Sequence, residues 1–511
     1  MLDMTGTSIC PDPPTPDCDD QPAVPARAGR REWLGLAVLA LPTVLIGLDG
    51  TALHLAAPAL SADLAPSSSQ LLWIVDVYGF VVAGLLVTMG TVGDRIGRRR
   101  LLMIGAAGFL VASLLAAFAT SAELLITARA LLGLAGATLM PSTLSLLSNM
   151  FRDPGQRRLA IAIWMTNFMV GGMAGPLIGG VLLEHFWWGS VFLIGVPPLI
   201  VLLVTGPLLL PEFRNPHAGR IDLLSVVLSV AAIVSVVYSV KETAKSGLQV
   251  STLAIAAVGV ALGVVFARRQ LRLRDPLMDL RLFRRAAFSA SLGAQTFGLY
   301  VLAAMQFLTV QYFQLVLGMT PLEAGLWMLP TMVMGIVGTL GAPWVVRVLQ
   351  PGTAMTVGFA AAVPGLALMA LSGRWPVVVG LAITSMGVQV VLALTYDLVV
   401  SSAPPERAGV ASGMGETGTE LGIALGIAIA GSLVTAVYRA GVTVPAGAPD
   451  SVGDTLGSAV SAAEHLPGPV AQQLLETARA AYTNGIQLAA VVSAVMIAIL
   501  AVATAKLVRA D

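Results

Sequence analysis

The chain has 511 residues, of which 56% are hydrophobic and only 11% are charged, and its net charge is +1. Soluble domains carry about 25% charged residues, so the composition excludes a soluble protein and points to a polytopic membrane protein. The near-zero charge excludes an electrostatic claim on nucleic acid or on an acidic partner.

Residues 1–32 read as a disordered, Pro- and Asp-rich tail. The tail holds both cysteines, Cys10 and Cys18, so no disulfide framework reaches the apolar part. It lacks the basic stretch, apolar core and cleavage site of a signal peptide.

A membrane span needs about 20 apolar residues. Fourteen runs qualify: 34–58, 71–92, 101–119, 122–147, 159–183, 189–209, 222–240, 251–267, 287–311, 321–346, 353–372, 376–400, 407–436 and 487–506. Leaving aside the first and last three residues of each run, six Asp, Glu, Arg or Lys residues fall inside them: Asp49, Asp76, Arg129, Asp397, Glu416 and Glu420. A charge in hydrocarbon is expensive, so such residues face a cavity or a partner and mark an ion or substrate path. Helix capping and bracing are the competing readings.

Asp49 lies in the outer half of span one and Asp76 near the outer start of span two. A short loop joins these spans, so the two carboxylates are expected to face one cavity. An anionic carboxylate is costly in such a site, and an organic cation or a proton can each relieve it. That competition is the minimal chemistry of antiport. The turn after span two reads Gly90-Thr91-Val92-Gly93-Asp94-Arg95-Ile96-Gly97-Arg98-Arg99-Arg100. Glycines permit the turn, and Asp94 can cap a helix or pair with Arg.

Arg129 in span four needs a polar partner at its depth. In span five, Asn167, Gly171, Gly175 and Gly179 recur every four residues, and Gly180 and Pro176 interrupt the same helix. Small residues allow another backbone close and Pro176 allows a bend. The spacing fits a tight helix crossing, and functionally a seam on which two halves rock. Asp397 near the end of span twelve is expected to meet water or Arg407. Glu416 and Glu420 share one face of span thirteen, and two like charges in one apolar site are not both ionised. Rings hold lipophilic cations by cation–π contact, which nominates Trp164, Phe168 and Phe307 as pocket walls; ordinary packing is the alternative. The loop 437–486 is expected to form an amphipathic helical hairpin, with Val470, Leu474, Leu475 and Ala478 at helical spacing.

Arginines concentrate in alternate loops (Arg95 to Arg100, Arg152 to Arg158, Arg268 to Arg285), so both termini are expected in the cytoplasm. No Lys follows a Gly, so a P-loop is absent. His54, His185, His217 and His465 are scattered, which argues against an intramembrane metalloenzyme. Fourteen distinct spans fit a channel poorly.

These residues carry a resemblance to the major facilitator superfamily, and within it to the fourteen-span drug:proton antiporters. Gly90–Arg100 is similar to the superfamily's cytoplasmic-loop motif, with Gly90, Asp94, Arg95, Gly97 and Arg98 in place. Arg129 falls in its span-four motif, and Gly171–Gly180 matches G-x-x-x-G-P-x-x-G-G. Leu48–Pro58 is similar to L-D-x-T-x-x-N-x-A-L-P, with His54 in the Asn position; Trp73–Tyr78 resembles the QacA/SmvA branch. Leu132 and Gly195 depart from a Gln and an Asn of the family's motifs.

The resemblance implies an all-α major facilitator fold. A six-helix bundle over 33–210 is followed by an inserted helix pair and linker over 211–285 and a second bundle over 286–511. It implies proton-driven export of lipophilic cations by alternating access across an inner (plasma) membrane. Asp49 would be the general proton-coupling acid, with Arg129, Glu416 and Glu420. Asp76 would take the substrate cation, beside His54. No cofactor and no metal are expected beyond the proton. A monomer in the lipid bilayer is expected, as is a small organic cation as substrate. Export of a metabolite, an antibiotic or a lipid is the alternative on the same fold.

Overall fold

The computed structural model describes residues 27–507, apart from 65, 67, 215–221, 247–248, 274–275, 277, 279, 372, 404–407 and 446–448. Most of the tail, and Arg407, therefore lie outside the described residues. The first helix starts at Arg30, so the end of the expected tail is already helical.

Sixteen α-helices run in chain order: α1 Arg30–Leu64, α2 Ser68–Ile96, α3 Arg98–Ala117, α4 Ala122–Met150, α5 Pro154–His185, α6 Ser190–Leu193, α7 Val196–Leu209, α8 Leu223–Ser246, α9 Val250–Arg272, α10 Ala286–Gln311, α11 Pro321–Val348, α12 Pro351–Met369, α13 Arg374–Ser401, α14 Ala408–Gly441, α15 Leu456–Ala463 and α16 Gly468–Leu507. Among the described residues, fourteen stretches are long and apolar enough to span a membrane, α6 and α7 together making one. This is the number read from hydropathy. Polar backbone cannot face hydrocarbon unpaired, which is why a chain of this composition folds as helices. Large apolar side chains such as Leu208, Val204, Val260 and Ile499 remain exposed; in a membrane they face lipid.

Several helix starts have local chemical causes. Ser121 accepts from the Leu124 N–H and Asp153 from the Gln156 N–H, with Pro154 in the first turn of α5. Thr320 and Glu323 cap each other ahead of α11.

α1 crosses α5 closely, and α10 crosses α14 in the same manner. A Cβ on Gly171 would strike the Val44 carbonyl, and one on Gly422 or Gly426 would strike the carbonyls of Thr296 or Tyr300. The glycine face of span five therefore serves a crossing within the first half of the chain. Between halves, α2 and α4 meet α14, while α5 meets α11 and α13. The helix pair α8–α9 lies outside this core against α2 and α14, with Phe80 and Tyr238 in ring contact. At its polar end Asp222 accepts from Arg269 Nε at 2.7 Å and from the Ser225 hydroxyl at 2.6 Å. Those two bonds, Arg269 foremost, hold its carboxyl down at about 2.

The loop after α14 is ordered in part. α15 and the start of α16 form a hairpin, and Leu474 and Ala478 are buried as their spacing predicts. α10 ends in a π turn, Tyr312–Val316. Arg479 Nε donates to the Leu315 carbonyl there, and the Tyr482 hydroxyl to the Leu308 carbonyl. The second helix of the hairpin is not separate: it runs without a break into the last span.

Candidate functional site

The polar groups collect where the two halves meet, at three levels. The first level lies in the second half of α1 and the N-terminal parts of α2 and α4. Arg129 Nη1 donates to Asp49 Oδ2 at 2.9 Å, and Arg129 Nε donates to the Ile74 carbonyl at 3.1 Å. The guanidinium also stands 4.7 Å from the centre of the Tyr78 ring, a cation–π contact. Arg129 is 3% exposed and the Asp49 side chain 10%. A buried ion pair holds only when further contacts satisfy the charges, and here a carbonyl and a ring do so. The structure thus joins two residues that sequence named separately. His54 and Asp76 sit on α1 and α2, but their side chains lie outside the described residues.

The second level is on α14. Glu416 is 3% exposed, and its Oε1 has no hydrogen-bond partner. Glu420 follows one turn later and is half-buried. Around them stand groups that sequence reasoning missed. The Tyr396 hydroxyl and Thr419 Oγ1 are 2.9 Å apart. Gln295 Nε2 donates to the Gly415 carbonyl at 3.1 Å and to Thr419 Oγ1 at 3.0 Å. Gln295 is fully buried with its Oε1 unpartnered. The span over 287–311 holds three glutamines, Gln295, Gln306 and Gln311, and nothing in the sequence singles out Gln295 among them. The two levels are in electrostatic contact: Tyr78 feels Asp49, Arg129 and Glu420, and Tyr396 feels both glutamates.

The third level closes the arginine-rich end. Arg98 donates to Asp94 Oδ1 through Nε at 2.9 Å. The same carboxylate accepts the first N–H groups of α14, Gly409 at 3.1 Å and Val410 at 3.2 Å. Asp94 therefore caps a helix of the other half, where free N–H groups and the helix dipole favour an anion. Glycines make the approach possible. A Cβ on Gly90 would strike the Gly409 carbonyl, and one on Gly413 would stand 2.7 Å from the Leu86 carbonyl. The glycine seam between the halves is thus Gly90, Gly409 and Gly413. Gly97 takes φ +110 between α2 and α3, which favours glycine, and Arg95 closes the last turn of α2.

Asp397 corrects an expectation. It does not end a helix in water. It is 3% exposed and accepts from Arg157 Nε at 2.6 Å and Arg158 Nε at 3.3 Å. These arginines open α5, so this ion pair also ties the halves at the arginine-rich end. Sequence could not see it because the partners are 240 and 239 residues apart.

The remaining candidates separate. Trp164 is 1% exposed, donates to Thr143 Oγ1 at 3.1 Å and meets the Tyr396 ring edge-on. It is a brace between halves and not an open wall. Phe168 and Phe307 leave ring surface uncovered. Gly175 and Gly179 are buried, Gly180 has open space beside it, and the Pro176 side chain lies outside the described residues. Met169 of the same helix packs against Gly335 and Thr339 of α11, so α5 does border the other half. Among the described residues, no group of three or more His, Cys, Asp or Glu could hold a metal ion.

Comparison with known proteins gives this geometry its setting. The sequence profile of the Major Facilitator Superfamily matches residues 39–427. The multidrug efflux pump LfrA of Mycolicibacterium smegmatis is 45% identical over 92% of this chain and 95% of its own. The methyl viologen resistance protein SmvA of Salmonella typhimurium is 36% identical over 88% and 93%. The tetracenomycin C resistance and export protein of Streptomyces glaucescens is 32% identical over 76% and 74%. In fold, the crystal structure of the human organic anion transporter MFSD10 aligns with 91% of this chain and 98% of its own, at a TM-score of 0.57 and 15% identity. The chain belongs to the Major Facilitator Superfamily: it is a multi-pass membrane transporter of the branch that holds LfrA and SmvA, and not an enzyme.

Proposed function

We propose that this protein is a proton-coupled efflux antiporter for lipophilic organic cations, working by alternating access between its two halves. The observation that carries the reading is the pair of buried acid sites where the halves meet. Asp49 is held by one removable charge, that of Arg129. Glu416 sits in a dry site with an oxygen that no donor satisfies. A carboxyl so placed costs less with a proton than as an anion. Glu416 can thus take and release a proton, while displacement of Arg129 would leave Asp49 in need of another cation; antiport requires such exchanges. Names of relatives support the substrate class: one is a multidrug efflux pump and one confers resistance to methyl viologen, a bipyridinium dication. Asp76, Phe168 and Phe307 are assigned to the cation on the same reading, with His54 beside them.

The arginine-rich end is assigned to the cytoplasm by the positive-inside rule. The ties at Asp94 and Asp397 then close the cytoplasmic side. The halves are the units that rock. Export of an endogenous metabolite or antibiotic is the second reading, favoured by the relative named for tetracenomycin C export.

The test is ethidium movement in proteoliposomes of purified protein, with and without an imposed pH gradient. Gradient-driven movement, lost on collapsing the gradient, is the expected result. Folded protein that moves no cationic dye under any gradient would overturn the cation reading and favour the second.

A further inference from the structure

Glu416 does not stand alone in its span. Two buried oxygens have no hydrogen-bond partner, Glu416 Oε1 and Gln295 Oε1, and Gln295 is bonded to the carbonyl of the residue before Glu416. An unmet buried acceptor is costly, so two of them in one polar cluster are unusual unless a donor arrives in some state of the molecule. A proton on Glu416 is such a donor, because it converts one acceptor of the cluster into an O–H group. The other members are already aligned. Gln295 is fixed through Nε2 by the Gly415 carbonyl and Thr419, and the Tyr396 hydroxyl, bonded to Thr419, also reaches Glu416 and Gln295.

We infer that Gln295, Tyr396 and Thr419 are positioning residues for Glu416: they form a cradle that is complete only when Glu416 carries a proton. The inference rests on the proton-coupled reading above and names the residues that make its second acid work. The cradle also has a mechanical connection. Tyr396 touches Trp164 of α5, and the next residue, Asp397, holds Arg157 and Arg158 of the same helix. When Glu416 loses its proton, the Tyr396 hydroxyl, which reaches it, is a donor for the anion. Turning that hydroxyl from Thr419 toward Glu416 loads a stretch of α13 that is tied to α5.

The charged and titratable groups around Glu416 are these. Glu420 on α14 and Tyr396 on α13 act on it directly. Tyr78 on α2 faces Glu420, with Arg129 on α4 and Asp49 on α1 behind it. Asp94 on α2 is bound at Gly409 and Val410, nearer the arginine-rich end. α10 contributes the uncharged Gln295 and the backbone of Tyr300, and α8 contributes Tyr238 beside Leu421. α16 packs on the same helix and carries Tyr482, whose hydroxyl is bonded to the Leu308 carbonyl of α10.

The test is infrared difference spectroscopy of the purified, full-length protein between acid and alkaline pH. The carbonyl stretch of a protonated carboxyl reports its hydrogen bonds directly, without any need for transport. One such band is expected to vanish in Glu416→Gln. The same band is expected to move in Gln295→Leu, Tyr396→Phe and Thr419→Val, and to remain in place in Tyr238→Phe, a variant outside the cradle. Absence of any band that depends on Glu416 overturns the inference. So does a Glu416 band that all three cradle variants leave in place. In proteoliposomes, Tyr396→Phe is expected to shift the pH midpoint of dye transport by about one unit, and to add no shift in a Glu416→Gln background. An added shift there overturns the route through Glu416. Should the infrared bands behave as expected while dye movement ignores the pH gradient, the cradle stands and the antiport reading falls.

Discussion

In the first half of the chain Asp49 meets a guanidinium at 2.9 Å, and that guanidinium is in turn held by a carbonyl and a tyrosine ring. In the second half Glu416 is as deeply buried as Arg129, yet among the described residues it meets no cation and leaves an oxygen unpartnered. The halves share one backbone device, close glycine crossings at α1–α5 and at α10–α14. They differ in how the buried acid is compensated. A paired acid is a switch thrown by whatever displaces its partner. An unpaired acid is a switch thrown by a proton alone. On the proposed reading, one molecule with both carries two acids that respond to different events.

The comparison breaks most severely at the acids themselves. Asp49→Asn is expected to abolish gradient-driven transport, and Glu416→Gln to remove its pH dependence while some downhill movement persists; proteoliposome flux against pH separates the two. Second in size is stability. Arg129→Leu strands a buried carboxylate, and breaking such a pair costs about 3–5 kcal/mol. The double variant Arg129→Leu/Asp49→Asn is expected to regain part of that loss, whereas Glu416→Gln alone leaves the melting temperature unchanged or raises it. A melting series in detergent checks the order, and equal losses at Arg129 and Glu416 would erase the contrast between the halves.

A third, smaller effect is expected at the tie between them. Asp397→Asn releases Arg157 and Arg158 and moves the population toward opening at the arginine-rich end. Spin labels at positions 152 and 401 should then report a longer mean distance. The smallest effect belongs to the inserted pair. The carboxyl of Asp222 is held down at about 2 by Arg269 and Ser225, below an ordinary unfolded value of about 3.9. Its contribution to stability is therefore whole above about pH 4 and is lost as pH falls toward about 2. Asp222→Asn should match the wild type in transport and differ in melting temperature only slightly, as expected for a partly exposed pair.

The spans were legible because a bilayer imposes length and hydropathy on each helix independently of its neighbours. The buried charges were legible because they violate that rule. What sequence did not reveal depends on which helix lies beside which. Asp397 reads as a helix-end residue until α5 is placed against α13. Gly171 and its periodic companions suggest the seam between halves, yet Gly171 packs on α1, and the inter-half role falls to Gly90, Gly409 and Gly413. Gln295, Thr419 and Tyr396 carry no charge, so they do not stand out from an apolar helix as a carboxylate does. Trp164 has the chemistry of a cation-binding ring and is instead consumed by Thr143 and Tyr396.

The uninterrupted course of α16 has a mechanical consequence. Its 40 residues make a rod about 60 Å long, roughly twice the thickness of the hydrocarbon core, about 30 Å. The excess carries α15, and the rod is pinned by Arg479 to the π turn that ends α10 and by Tyr482 to Leu308 of α10 itself. Rod and turn belong to the same half, so the protruding tip acts as a lever arm: a small tilt within the membrane becomes a large sweep outside it. A fluorophore on that tip would read out each transport cycle from the far side of the bilayer.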